Sequence, residues 1–161
     1  MKTIRTLIAV ALLGAASAHA NDPKATIADL DARLAKIGAV KLNGTDTVGD
    51  KTVPALYFGE RKINNNFDVV DAVRKAHQAT ATVFVKSGDE FVRVSTNVLT
   101  PEGKRGVGTQ LARNAAYEAV NAGKQYCGPI DVLGTAFDAC YNPIKDGGGK
   151  VVGVSYVGHK K

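Results

Sequence analysis

The sequence predicts an α+β fold: a long amphipathic N-terminal helix followed by an antiparallel sheet of about five strands with flanking helices. Three observations carry this. Ile27, Leu30, Leu34 and Ile37 recur at helical spacing on one stripe. Residues 79–85 and 90–96 are rich in β-branched and aromatic side chains and flank Ser87-Gly88-Asp89, a hairpin signal. Three more such stretches follow near the C-terminus, joined by short glycine-containing turns that favour antiparallel pairing.

Taken in order, residues 1–20 read as a secretory signal peptide. Lys2 and Arg5 form a basic head, residues 7–16 are apolar or small, and Ala18-His19-Ala20 fits the small-x-small cleavage pattern. The competing reading is a retained anchor, but the run is short of the ~20 residues that span a bilayer. The first helix is expected over 23–39, with Asp22 as N-cap, Pro23 at the first helical position and Gly38 as the stop. Residues 43–51 are polar and turn-forming and read as a loop. Residues 52–58 read as a strand, which Pro54 confines to an edge. An asparagine of Asn64-Asn65-Asn66 is placed to cap a short helix that carries Phe67, Val70, Val73 and Arg74 on one face and ends near His77. After the hairpin, 97–108 reads as a long loop, and the alanine-rich 109–122 as a helix stopped by Gly123. Strands are expected over 126–132, 135–144 and 150–158, with Gly134 and Gly147-Gly148-Gly149 in their turns. The organisation is thus a leader over 1–20, a helix and loop over 21–49, and one domain over 50–161.

Composition narrows the function classes. The chain has 161 residues, 22% charged and 45% hydrophobic, values ordinary for a globular protein. Lys+Arg number 21 against Asp+Glu 15; without Lys2 and Arg5 the balance is 19 − 15 = +4, too small and scattered to indicate nucleic acid. Cys127 and Cys140 are the two cysteines, and in an exported protein an even pair predicts a disulfide. A turn centred near Leu133-Gly134 sets Cys127 opposite Cys140, Tyr126 opposite Tyr141 and Ile130 opposite Phe137, with the aromatic pairs facing away from the sulfurs. Beyond the leader only His77 and His159 remain as imidazoles, neither spaced like a metal ligand, and no metal or cofactor is predicted.

Catalytic chemistry is thin. No Gly-x-Ser-x-Gly occurs, and His77 sits at a helix end. Gly106-Val107-Gly108-Thr109 lacks the pattern of a P-loop and reads first as a flexible helix entry. The acidic pairs Asp29/Asp31 and Asp89/Glu90 read as solvated. Binding chemistry is stronger. Strict alternation puts Phe91, Arg93 and Ser95 on one face of their strand and Val92, Val94 and Thr96 on the other. A guanidinium among apolar neighbours needs a carboxylate, from a ligand or from an internal acid such as Asp68, Asp71 or Glu118, unless Arg93 faces solvent. Tyr126, Phe137 and Tyr141 either receive one end of a small ligand or form an ordinary aromatic core.

The ordered series 64–71 (NNNFDVVD), 79–97 (ATATVFVKSGDEFVRVSTN), 106–111 (GVGTQL), 123–128 (GKQYCG), 141–146 (YNPIKD) and 153–158 (GVSYVG) resembles the single-Cache extracytoplasmic sensor domain of bacterial chemoreceptors and sensor kinases. The resemblance implies a PAS-like sheet and non-catalytic, periplasmic binding of a small organic molecule, often a short carboxylate. Its ligand-binding residues here are Arg93, Ser95, Tyr126, Phe137 and Tyr141. Two departures stand out. Phe137 and Ala139 replace a tyrosine and a threonine common in the motif. The chain also ends three residues after Gly158 without a second membrane segment, so signalling calls for a membrane-bound partner. The alternatives are a secreted hydrolase using His77 and a partner-binding Cache module without a ligand. Exported from a bacterial host with its own leader, the protein is expected in the periplasmic fraction beginning at Asn21, which N-terminal sequencing of the purified product checks.

Overall fold

The structure, a computed structural model, describes residues 21–161; the expected leader and its cleavage site lie outside them. The elements are α1 (Pro23–Ile37), β1 (Val40–Val48), β2 (Lys51–Phe58), β3 (Arg61–Lys62), α2 (Asp68–His77), β4 (Thr80–Ser87), β5 (Glu90–Thr96), α3 (Ala115–Asn121), β6 (Tyr126–Val132), β7 (Thr135–Lys145) and β8 (Val151–Lys160). They form a three-stranded sheet of order β1-β2-β3 and a five-stranded sheet of order β5-β4-β8-β7-β6, with every recorded pairing antiparallel. The expected α+β architecture is the one observed.

The two faces of the large sheet are chemically different because side chains alternate along each strand. One face carries aliphatic residues, among them Ala81, Val83, Val85, Val92, Val94, Val152 and Val157, packed with Ile27, Leu30 and Leu34 of α1 and Val70 and Val73 of α2. The other carries Phe84, Phe91, Phe137, Tyr141 and Tyr156, packed with Leu111 and with Ala116, Tyr117 and Val120 of α3. α1 begins as its sequence requires, with the Asp22 side chain accepting from the Lys24 N–H at 2.9 Å and proline in the first turn. It is tied to the sheet by Asp31, whose carboxylate accepts from the Ser155 hydroxyl at 2.5 Å and the Asn142 amide at 2.6 Å. At its N-terminal end the buried Thr26 hydroxyl is hydrogen-bonded to His159 Nε2 at 3.0 Å. Asp29 accepts from Arg33 and is bonded to His77 Nε2, both at 2.8 Å. The pair Asp29/Asp31 is therefore engaged, not solvated.

Other expectations are also corrected. Residues 43–51 are not a loop: most belong to β1, whose side chains are largely exposed, so no apolar alternation marks the strand. Pro54 lies in the middle strand of its sheet. β3, however, reaches only Tyr57 and Phe58, and at Pro54 that side is met by the Asn64 side chain, which donates to the Pro54 carbonyl at 3.1 Å. The missing N–H breaks no ladder bond. The helix expected over 109–122 is confined to α3 and capped by Asn114, whose side chain accepts from the N–H groups of Ala116 and Tyr117. Residues 108–111 instead run beside β5, with the Arg93 N–H donating to Thr109 O and the Leu111 N–H to Phe91 O, each at 2.9 Å.

The β6–β7 hairpin has the expected register in full, and a Cys127–Cys140 disulfide joins the two strands. A loop of this size stabilises by about 3 kcal/mol in the chain-entropy account. The double variant Cys127→Ala, Cys140→Ala is expected to lose about that much in urea unfolding, and reductant should lower the melting temperature of the parent but not of the variant.

Candidate functional site

The candidate site is built on the aromatic face, where register fixes two neighbouring rows. Arg93 lies opposite Phe84 and Phe84 opposite Val154. Next to them, Thr96, Thr82, Tyr156, Tyr141 and Tyr126 form one row across all five strands. The rings of Tyr126 and Tyr141 meet edge to face at 6.2 Å between centroids, and those of Tyr141 and Tyr156 are tilted at 4.8 Å. The Tyr156 hydroxyl is hydrogen-bonded to Thr80 Oγ1 at 3.0 Å. Burial pushes the Tyr156 phenol up to about 12 and raises that of Tyr141 as well, so both stay neutral near pH 7.

Arg93 is 3% exposed. Its guanidinium carbon lies 4.8 Å from the Phe84 ring centroid, a cation–π contact. Nη1 donates to Thr109 Oγ1 and to the Gln110 carbonyl, each at 3.0 Å. Nε is buried without a partner, and among the described residues Arg93 makes no ion pair. Desolvation lowers its affinity for the proton, the direction expected for a buried cation without a counter-charge. None of the acids expected as its partner, Asp68, Asp71 or Glu118, pairs with it. Asp71 receives Arg105 in a two-pronged pair, both contacts at 2.8 Å. Arg93 is thus a buried charged donor with an unpartnered Nε beside the Phe84 ring.

With one exception the expected site residues share a face of the sheet, but not one place on it: Arg93 is on the edge strand β5, Tyr126 on the opposite edge strand β6, and Tyr141 and Phe137 on β7. Arg93, Tyr126, Phe137 and Tyr141 all face the aromatic side. Ser95 does not. The pairing shifts between Val83 and Phe84, so Phe84 meets Arg93 while Val83 meets Ser95, leaving Val94 as the extra residue of a β-bulge. The bulge turns Ser95 to the helix side, where its hydroxyl donates to the Asn66 carbonyl at 2.6 Å, and it turns Thr96 to the aromatic side, where it meets Thr82 Oγ1 at 2.6 Å. Phe137 stands two rows from the tyrosines, opposite Lys160. Phe84, Thr109, Gln110 and Tyr156 escaped the sequence reading. Tyr156 had a signal: Gly158, two residues on and hence on the same face, leaves room for its ring.

The sequence matches the Cache 3/Cache 2 fusion domain over residues 15–161. The chain belongs to this family. Cache sensor domains are extracytoplasmic and typically non-catalytic. No curated protein matches the chain. Among solved structures the domain is similar to the sensor domain of E. coli DcuS, at 22% identity and a TM-score of 0.42. That likeness covers 57% of this chain and 63% of the other, so the Cache domain described here spans less than two thirds of that relative. Among the described residues, no helix is long and apolar enough to cross a membrane.

Gly158 tests the aromatic floor. A Cβ there would overlap the Tyr156 hydroxyl and come within 2.9 Å of Cζ and 3.1 Å of Thr80 Oγ1. Tyr156 is 1% exposed and has little room to retreat. Gly158→Ala is expected to cost about 1–3 kcal/mol in urea unfolding. Combined with Tyr156→Phe, which removes the overlapping hydroxyl, it should cost less than the sum of the two single changes.

Proposed function

We propose that this Cache domain is a periplasmic, non-catalytic sensor module that binds a small organic carboxylate through Arg93, with Tyr141 and Tyr126 further across the same face of the sheet, and passes the signal to a membrane-bound partner; Phe137, at the far end of that face, is left out of this contact. In this reading residues 1–20 are a cleaved leader, and the ligand-binding unit over 50–161 carries the 21–49 segment on its sheet. One observation supports it above all: among the described residues the buried Arg93 guanidinium has no carboxylate partner and retains an unpartnered Nε. Bidentate pairing with a carboxylate would supply the missing counter-charge. Ser95, on the opposite side of the sheet, takes no part. The hydrolase reading is weaker, because His77 is bonded to Asp29 of α1, and α1 packs with the aliphatic face of the sheet.

A thermal-shift screen with short mono- and dicarboxylates is expected to find compounds that raise the melting temperature, since a ligand bound only to the native state stabilises it. For the best of them, Arg93→Ala should weaken binding roughly ten- to a hundredfold in calorimetric titration, as loss of a charge-assisted contact of about 1.5–3 kcal/mol implies. Arg93→Lys should fall between, keeping the charge but not the fork. Because Arg93 also holds Thr109 and Gln110, Arg93→Ala should melt lower, so titrations belong well below that transition. Unchanged affinity in Arg93→Ala would sink the anchor role; no response to any organic acid would favour a partner-binding module.

A further inference from the structure

We infer that the far end of the aromatic face holds a second anion-binding subsite, formed by Arg74 and Lys160 and suited to a small organic anion with an apolar body. A cavity of about 310 Å³ opens there, lined by Arg74, Gln78, Leu99, Val132, Phe137 and Lys160 among others, with no carboxylate in its lining. Its cations are left free by the way the neighbouring acids are used. Asp71 stands three residues before Arg74 on α2, the spacing of a helical ion pair, but both its oxygens are held by Arg105. Asp138 stands beside the end of β8, but it lies opposite His159 and pairs with Lys161 at 3.2 Å. Strand alternation sends His159 to the helix side, where it meets Thr26, and Lys160 to the aromatic side, directly across from Phe137. Neither Arg74 nor Lys160 makes an ion pair among the described residues.

The apolar part of the cavity sets the rest of the ligand. Leu99 is 49% exposed, one of two large apolar side chains so open among the described residues, and with Val132 and Phe137 it gives a hydrophobic wall beside the charges. The subsite is separate from Arg93. Arg93 is in register with Val154 through Phe84, and Val154 and Lys160 are six residues apart on β8, which is about 20 Å at ~3.3 Å per residue. A short carboxylate cannot bridge that span.

Benzoate is the probe, followed by amide chemical-shift mapping on 15N-labelled protein. At millimolar benzoate the resonances of Gln78, Thr80, Thr135, Phe137 and Lys160 are expected to move together. Neutral benzamide and wall-free acetate should act at least about tenfold more weakly at the same residues. The double variant Arg74→Gln, Lys160→Gln alters two exposed side chains and should lower benzoate affinity at these residues by about tenfold. The subsite is refuted by benzamide matching benzoate, by the double variant binding as the parent does, or by no response at these residues. Loss of a benzoate response at Thr109 and Gln110 in the same double variant would also overturn it, by showing that the two ends of the face are one site.

Discussion

A guanidinium held inside the protein without a carboxylate is the constraint around which the aromatic half of the domain is arranged. Burying an isolated cation is costly. Among the described residues, neutral groups answer the charge: the Phe84 ring, the Thr109 hydroxyl and the Gln110 carbonyl. Two of these come from a segment that has no reason of its own to be extended. Residues 108–111 lie along β5 because the Arg93 and Phe91 main chain and the Arg93 side chain supply partners for them. The cover of the site and its charged group therefore hold each other in place, and a ligand that drew Arg93 toward itself would act directly on the segment that encloses it.

The other half of the domain solves a different problem. α1 and α2 bury aliphatic side chains against a face of valine and alanine, and such packing alone leaves the helix free to slide. Asp31 removes that freedom by bonding to Ser155 of β8 and Asn142 of β7. Both strands also carry the tyrosine row, Tyr156 one residue from Ser155 and Tyr141 one from Asn142. Alternation thus places a helix anchor and an aromatic site residue back to back on two adjacent strands, so a shift on one side of the sheet is felt on the other through a single peptide unit.

Much of this was legible in the sequence, for identifiable reasons. α1 buries one stripe, and β4, β5 and β8 are buried on both faces, so helical period, runs of β-branched and aromatic residues and turn glycines mark them. The Cys127–Cys140 register followed from one turn position. What escaped has no local signature. β1 faces solvent over most of its length and has no apolar rhythm to read. The stretch before α3 took its conformation from contacts with β5, a tertiary demand that overrode an alanine-rich neighbourhood. Ser95 was misplaced because counting by twos fails at a bulge, and nothing in Val92–Thr96 announces the extra residue. Arg93 stood out because a charge in an apolar strand has to be answered somewhere, whatever the register.

The bond between Cys127 and Cys140 has a meaning beyond the stability of a short loop. β6 is an outermost strand, paired on one side only. A strand so placed can slip along its neighbour, and a slip of one residue would exchange its two faces, sending Tyr126 toward the helices and a sulfur toward the tyrosines. The covalent link forbids that exchange. In an oxidising compartment it acts as a proofreading pin: a misaligned hairpin cannot close it, and once closed it preserves the one alignment in which three phenol rings stand side by side.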